Sequence, residues 1–322
     1  MVSTTGGQNI STQFGMPLFG VGGLLPFAGN YFWVDPTNGS DGNTGGPQDP
    51  FATLTQALTA CTAGNNDVVF LTGTYKPTAT LAWSKNNTHL IGLAGALNVG
   101  SATISVANVA ATTGSFSPLV NVTGSGCIFQ NISAISGIAQ ASTQVCWAEA
   151  GGKNTYIGCD FNQVGHLTAA AQAGNRALTV ASVSNSFQDC IIGGDAVLRA
   201  TGTNYTAEFL AGAGSSVFRG CTFAMYSSAT ADAHINAATT TLTGYILLDG
   251  CQLVQDIENT SAVSLAAAII ANASAGGAFL LTPSTISLGA TAIATTGPVY
   301  FVGVNPGGAN SATAGSIAIK AT

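Results

Sequence analysis

The chain has 322 residues, of which only 6% are charged, with 7 Lys and Arg against 13 Asp and Glu and a net charge of −6. So few and so scattered basic residues argue against a nucleic-acid surface, which needs clustered Lys and Arg to meet phosphates. The mean hydropathy is +0.38, yet the longest apolar run, Val263 to Ala271, is broken by Ser264 and falls short of the roughly 20 residues of a spanning helix, so no membrane partner is expected.

Residues 1–34 carry no charged side chain, and the basic n-region of a secretory signal is therefore not expected. Gly6 to Gly29 is instead an apolar strip cut by Gly and Pro, with Phe14, Met16, Leu18, Phe19, Val21, Leu24, Leu25 and Phe27. Such a strip makes neither a good helix nor a core of its own. Residues 1–29 are expected to be an extended attachment arm that docks on the side of its own domain or on a partner subunit.

Next come Tyr31-Phe32-Trp33-Val34-Asp35-Pro36, a turn-rich stretch to Gln48, and Asp49 to Leu58, in which Leu54, Ala57 and Leu58 fall at i, i+3 and i+4. That spacing predicts one apolar face of a short helix. Residues 30–64 are thus an opening strand, a loop and a capping helix, and 65–306 the main body.

In the body a short unit recurs: Leu90-Ile91-Gly92-Leu93, Phe129-Gln130-Asn131-Ile132, Tyr156-Ile157-Gly158-Cys159, Phe187-Gln188-Asp189-Cys190, Phe218-Arg219-Gly220-Cys221 and Leu248-Asp249-Gly250-Cys251. The cysteines lie 190 − 159 = 31, 221 − 190 = 31 and 251 − 221 = 30 residues apart, the period of a solenoid. The third place holds Gly92, Asn131, Gly158, Asp189, Gly220 and Gly250, residue types that tolerate a left-handed backbone at least cost. One left-handed corner there lets the side chains before and after it both point inward. Cys159, Cys190, Cys221 and Cys251 then form an inward ladder about 4.8 Å apart, too constrained for disulfides and suited to buried free thiols. Cys61, Cys127 and Cys146 stand outside the ladder. No Cys/His spacing suggests zinc, and neither a metal nor a cofactor is expected. Toward the C-terminus Ser284 is expected in the cysteine place, Phe301-Val302-Gly303-Val304 repeats the unit, and 307–322 is a Gly/Ala/Ser-rich cap or tail.

The opening at residues 30–80 resembles that of right-handed parallel β-helix proteins of the pectate-lyase-like class, and the repeat extends the resemblance to about residue 305. It implies an all-β, right-handed parallel β-helix with a short N-terminal capping helix. Many such proteins cleave polysaccharides, using clustered carboxylates to protonate a leaving oxygen, activate water or hold calcium. Only Asp160, Asp189, Asp195 and Asp249 fall near repeat positions, and Gly165-His166 is the one remnant of a polygalacturonase-like motif set; no catalytic residue is assigned. The charge-poor surface and apolar arm resemble structural proteins of tailed-bacteriophage virions. That resemblance implies a non-enzymatic capsid decoration protein, located on the virion after assembly in the host cytoplasm. Its partners would be two further copies in a homotrimer, the major capsid protein or another virion protein, and a host surface glycan. The alternatives are a tail spike or fibre that binds or cleaves host polysaccharide, and a bacterial β-helix adhesin.

Overall fold

The computed structural model describes residues 12–13, 16–17, 29–93, 102–106, 116–162, 165–237, 241–256, 261–272, 277–294 and 298–302. Three parallel sheets of 10, 8 and 7 strands run the length of the molecule. Each coil visits them in turn, as in Thr155–Ile157 of the first sheet, Asp160–Asn162 of the second and Arg176–Val180 of the third. Every strand pairs in parallel with its equivalents one coil away, so Phe129 faces Tyr156, Tyr156 faces Phe187, and Phe187 faces Phe218.

This register stacks like on like. The rings of Phe129, Tyr156, Phe187 and Phe218 lie 5.0, 4.5 and 4.4 Å apart and within 8° of parallel, each contact worth about 0.5–1.5 kcal/mol beyond burial. Between the first and second sheets Asn131, Gly158, Asp189, Gly220 and Gly250 have φ of 52°, 56°, 51°, 63° and 63°. Cys159, Cys190, Cys221 and Cys251 follow them, buried and free. Each thiol reaches a carbonyl of the preceding coil, on Phe129, Tyr156, Phe187 and Phe218 respectively, at 3.3–3.7 Å. Burial also pushes the Cys61 thiol up to about 12, away from reactive thiolate chemistry.

Gly92 departs from the expected corner. It closes the strand Thr88–Gly92 and its φ is not left-handed. Glycine is needed there for room: a Cβ would sit 2.0 Å from the Asn131 carbonyl oxygen and 2.6 Å from Ala102 Cβ. The cysteine place of the last full corner is likewise held by Thr285, not Ser284. Gln252 pairs with Ile286, so Pro283 lengthens the corner by one residue, and Thr285 Oγ1 donates to the Leu248 carbonyl where a thiol would.

The other two corners carry ladders of their own. Gln144 N, Asn175 N and Asn204 N donate to the side-chain oxygens of Asn175, Asn204 and Asp232 at 2.8–2.9 Å. Cys127 N and Asn154 N donate to Asn154 and Asn185 at 2.7 and 3.1 Å. Each side chain therefore caps a backbone N–H that the turn leaves without a strand partner. At the N-terminal end the helix Leu54–Ala60 buries Leu54, Ala57 and Leu58, with Thr53 as its N-cap, and covers the first coil. Of the expected arm only the antiparallel pair Thr12–Gln13 and Met16–Pro17 is described; Phe14, Leu18, Phe19, Val21, Leu24, Leu25 and Phe27, and the 307–322 tail, lie outside the described residues.

Two histidines are buried. Desolvation lowers His89 to about 4; desolvation first, and then the nearby Arg199 charge, lowers His234 to about 3. Among the described residues, both nitrogens of His234, and Nε and Nη1 of the buried Arg199, find no hydrogen-bond partner.

Two predictions follow from the packing. Gly250→Val, at φ 63°, should cost about 1–3 kcal/mol from left-handed strain, whereas Gly250→Asn should cost well under half of that. Gly92→Ala should cost more than Gly250→Ala, because its Cβ meets backbone; urea denaturation ranks the set, and equal midpoints for Gly92→Ala and wild type would refute the steric account. The histidines set the acid limb. Their folded pKa values lie below the unfolded value of about 6.5, so the stability they confer is full above that pH and is lost as pH falls toward 4 and then 3. His234→Leu should flatten the rise of urea midpoint with pH between about 3 and 6.5.

Candidate functional site

The third sheet runs through Leu81–Trp83, Val120–Val122, Val145–Glu149, Arg176–Val180, Tyr205–Phe209, Ala233–Ala237 and Ile269–Ala271. Alternation sends Trp147, Leu178, Ala207 and Ile235 into the core and turns the next residue of each strand outward. One outward row is therefore Ala82, Asn121, Ala148, Thr179, Glu208, Asn236 and Ile270, a single residue per coil. A second row, at the strand starts, holds Val145, Arg176, Tyr205 and Ala233.

Arg176 and Glu208 meet across these rows. Arg176 Nε lies 2.7 Å from Glu208 Oε2 and Nη2 lies 3.3 Å from Oε1. Nη1 donates to the carbonyls of Asn175 and Thr203, both at 2.9 Å, and the guanidinium carbon sits 4.2 Å above the Tyr205 ring. Asn236 Nδ2 donates to Glu208 Oε1 at 2.8 Å. A carboxylate offers about four acceptor positions. Three are taken by these donors, and the remaining one is on Oε2. The side chains of Arg176 and Glu208 are 11% and 17% exposed, and Thr179 and Asn236 beside them are buried, so the pair is mostly sheltered from solvent. Arg219 and Asp249, on the outer face of the first sheet, form a more exposed pair at 3.0 Å.

The second sheet contributes Asp160. Its carboxyl is pushed up to about 6, chiefly by desolvation, with Ser133 opposing. Ser133 Oγ donates to Oδ2 at 3.4 Å, and Oδ1 is buried with no partner. Asp160 therefore carries a proton at mildly acidic pH, as a proton donor must.

The other carboxylates and the histidine weighed from the sequence are dispersed. Asp189 is a left-handed corner. Asp249 is paired with Arg219. His166 caps the short helix Leu167–Ala170, its Nδ1 accepting from Thr168 N at 3.1 Å. Asp195 lies in the strand Ile191–Arg199, and its side chain is outside the described residues. Glu149 turns inward and is saturated by Gly151 N, Gly152 N, Asn154 Nδ2, Ser182 Oγ and the Tyr156 hydroxyl, which gives it a structural role. Among the described residues no three His, Cys, Asp or Glu converge as a metal site, and no helix is long and apolar enough to cross a membrane.

Sequence reasoning passed over Arg176, Tyr205, Glu208 and Asn236. The signal was present: 208 − 176 = 32 and 236 − 208 = 28 residues, close to one coil each. These residues lie on a different sheet from the corner unit, which is the repeat the sequence displays most plainly.

Among solved structures, pectin methylesterase PemA from Erwinia chrysanthemi is similar with a TM-score of 0.52 at 14% identity, covering 84% of this chain and 80% of its own. Pectate lyase Pel9A gives 0.53 at 12% identity over 84% and 68%, and a rhamnogalacturonan lyase 0.55 at 15% over 81% and 68%. The fold is that of the pectate-lyase-like right-handed β-helix. No family model matches the sequence, and no curated protein matches it. These neighbours correct the expectation of a non-enzymatic capsid decoration protein: they are carbohydrate-active enzymes, and nothing in them points to a virion. That expectation leaned on the scarcity of charge, whereas the chain gathers two of its few charges, with Tyr205 and Asn236, on one face.

Asp160 supplies a prediction with a definite sign. Its folded pKa of about 6 lies above the unfolded value of about 3.9. The stability linked to its proton is thus present below about pH 4 and lost as pH rises through 6. Asp160→Asn should stabilise the protein at pH 7.5 by on the order of 2–3 kcal/mol, with little gain at pH 4, as read from urea midpoints at the two pH values.

Proposed function

We propose that this chain is a carbohydrate-active enzyme that takes an extended polysaccharide along the outer face of the third sheet. The observation that carries the reading is the Glu208 carboxylate held by Arg176 and Asn236 on an outward row that also carries Asn121 and Thr179. Successive coils advance by about 4.8 Å, comparable to the length of one sugar ring, so a linear glycan lying along the row meets a new side chain with each ring. Asn121, half-buried on the same row, exchanges hydrogen bonds with hydroxyls. Arg176 and Asn236 fix the Glu208 carboxylate in one orientation and leave a lone pair of Oε2 to take a proton from a substrate hydroxyl or an attacking water. Arg176 acts on that step as a positioning residue, since four of its five N–H donors are spent on Glu208, Asn175 and Thr203. The similar structures, a pectin methylesterase, a pectate lyase and a rhamnogalacturonan lyase, agree with a polysaccharide substrate.

Purified protein incubated with a panel of plant and microbial polysaccharides should release reducing ends, unsaturated uronate absorbance, or methanol or acetate. Glu208→Gln should lower kcat by roughly 100-fold or more with a smaller change in KM. Loss of the Arg176 partner also destabilises, so folding is checked by circular dichroism. Turnover left intact in a folded Glu208→Gln variant would overturn the assignment of the carboxylate.

A further inference from the structure

We infer that the polymer bound on this face is uncharged, and that a polyuronate is disfavoured. This rests on the reading of the third sheet as a polysaccharide site. The sequence has seven Lys and Arg. On the third-sheet outer face the described cation is Arg176, and it is neutralised by Glu208 at 2.7 Å and further committed to two carbonyls. Elsewhere, Lys85 Nζ is bound to the carbonyls of Thr59 and Cys61, Arg219 is paired with Asp249, and Arg199 is buried. Lys76 and Lys153 are exposed, but neither belongs to a third-sheet strand. Lys320 lies outside the described residues.

A uronate polymer brings one carboxylate per ring. Laid on this face it would place several negative charges, partly stripped of water, against a surface whose formal charges cancel, in a protein of net charge −6. Desolvated carboxylates without a counter-charge are costly, and the surrounding field repels them at low salt. Hydroxyl groups suffer neither penalty. Asn121 supplies a neutral donor and acceptor in the row where the rings would lie, the buried Thr179 and Asn236 add no charge there, and Glu208 supplies an acceptor suited to a sugar hydroxyl.

The test keeps the backbone constant and changes only the charge. Soluble glucans, galactans and mannans are each compared with their C6-oxidised, carboxylate-bearing forms by affinity electrophoresis and calorimetry, with the purified full chain at low and at physiological salt. The expected result is that at least one neutral polymer binds ten-fold or more tighter than its oxidised counterpart, with the neutral affinity insensitive to salt. Glu208→Gln, which frees the Arg176 charge, should narrow that gap by raising affinity for the oxidised form. Tighter binding of the oxidised form by wild type, weakening as salt rises, would overturn this inference and leave the polysaccharide reading standing. Binding of neither form across the panel would overturn both.

Discussion

The constraint on which this molecule depends is parallel, in-register stacking of successive coils. Once one coil lies on the next at a single strand spacing, each side chain meets its own equivalent, and every row must tolerate itself. Aromatic rings satisfy this by stacking flat, thiols by reaching back to the previous coil's carbonyl, and asparagines by accepting a backbone N–H from the neighbouring coil. Charges do not satisfy it, because a row of like charges repels along its whole length. The scarcity of Asp, Glu, Lys and Arg is therefore a property of the architecture first, and a clue to function only where the exceptions cluster.

Much of the fold was legible because the corner is a local event. A residue that accepts a left-handed conformation, flanked by an aromatic or leucine and by a cysteine or aliphatic residue, can be recognised within four positions, and five of the six such places have that conformation. Gly92 looks the same in sequence but answers a different demand, the close approach of the Asn131 carbonyl in the following coil and of Ala102 across the corner of its own coil. Thr285 replaces Ser284 for a comparable reason: the insertion of Pro283 shifts the count by one, and only the pairing of Gln252 with Ile286 reveals it.

The candidate site was less legible because it is assembled across coils without a motif of its own. Arg176, Glu208 and Asn236 are 28–32 residues apart and share no neighbouring pattern. Their meeting depends on which face of which sheet each occupies. The carboxylates that did sit near the recognisable unit proved to be corner or ion-pair residues, because the positions next to a sharp bend are the ones whose chemistry the bend already uses. Asp160 is the exception: it lies immediately after a corner cysteine, yet its burial leaves it a proton-carrying acid without a full set of partners.

The asparagine ladders bear on how such a protein changes length. The turn amide of one coil is closed by a side chain of the next, and the thiol of that coil is closed by a carbonyl of the one before, so a coil borrows from both neighbours and lends the same groups in return. Removing a whole coil brings together two surfaces that already carry matching donors and acceptors. Removing a single residue shifts every later row by one place and turns core side chains toward solvent. Viable length variants of this chain accordingly differ by steps of about thirty residues, or by changes confined to the loops between strands, where the register of the sheets is not involved.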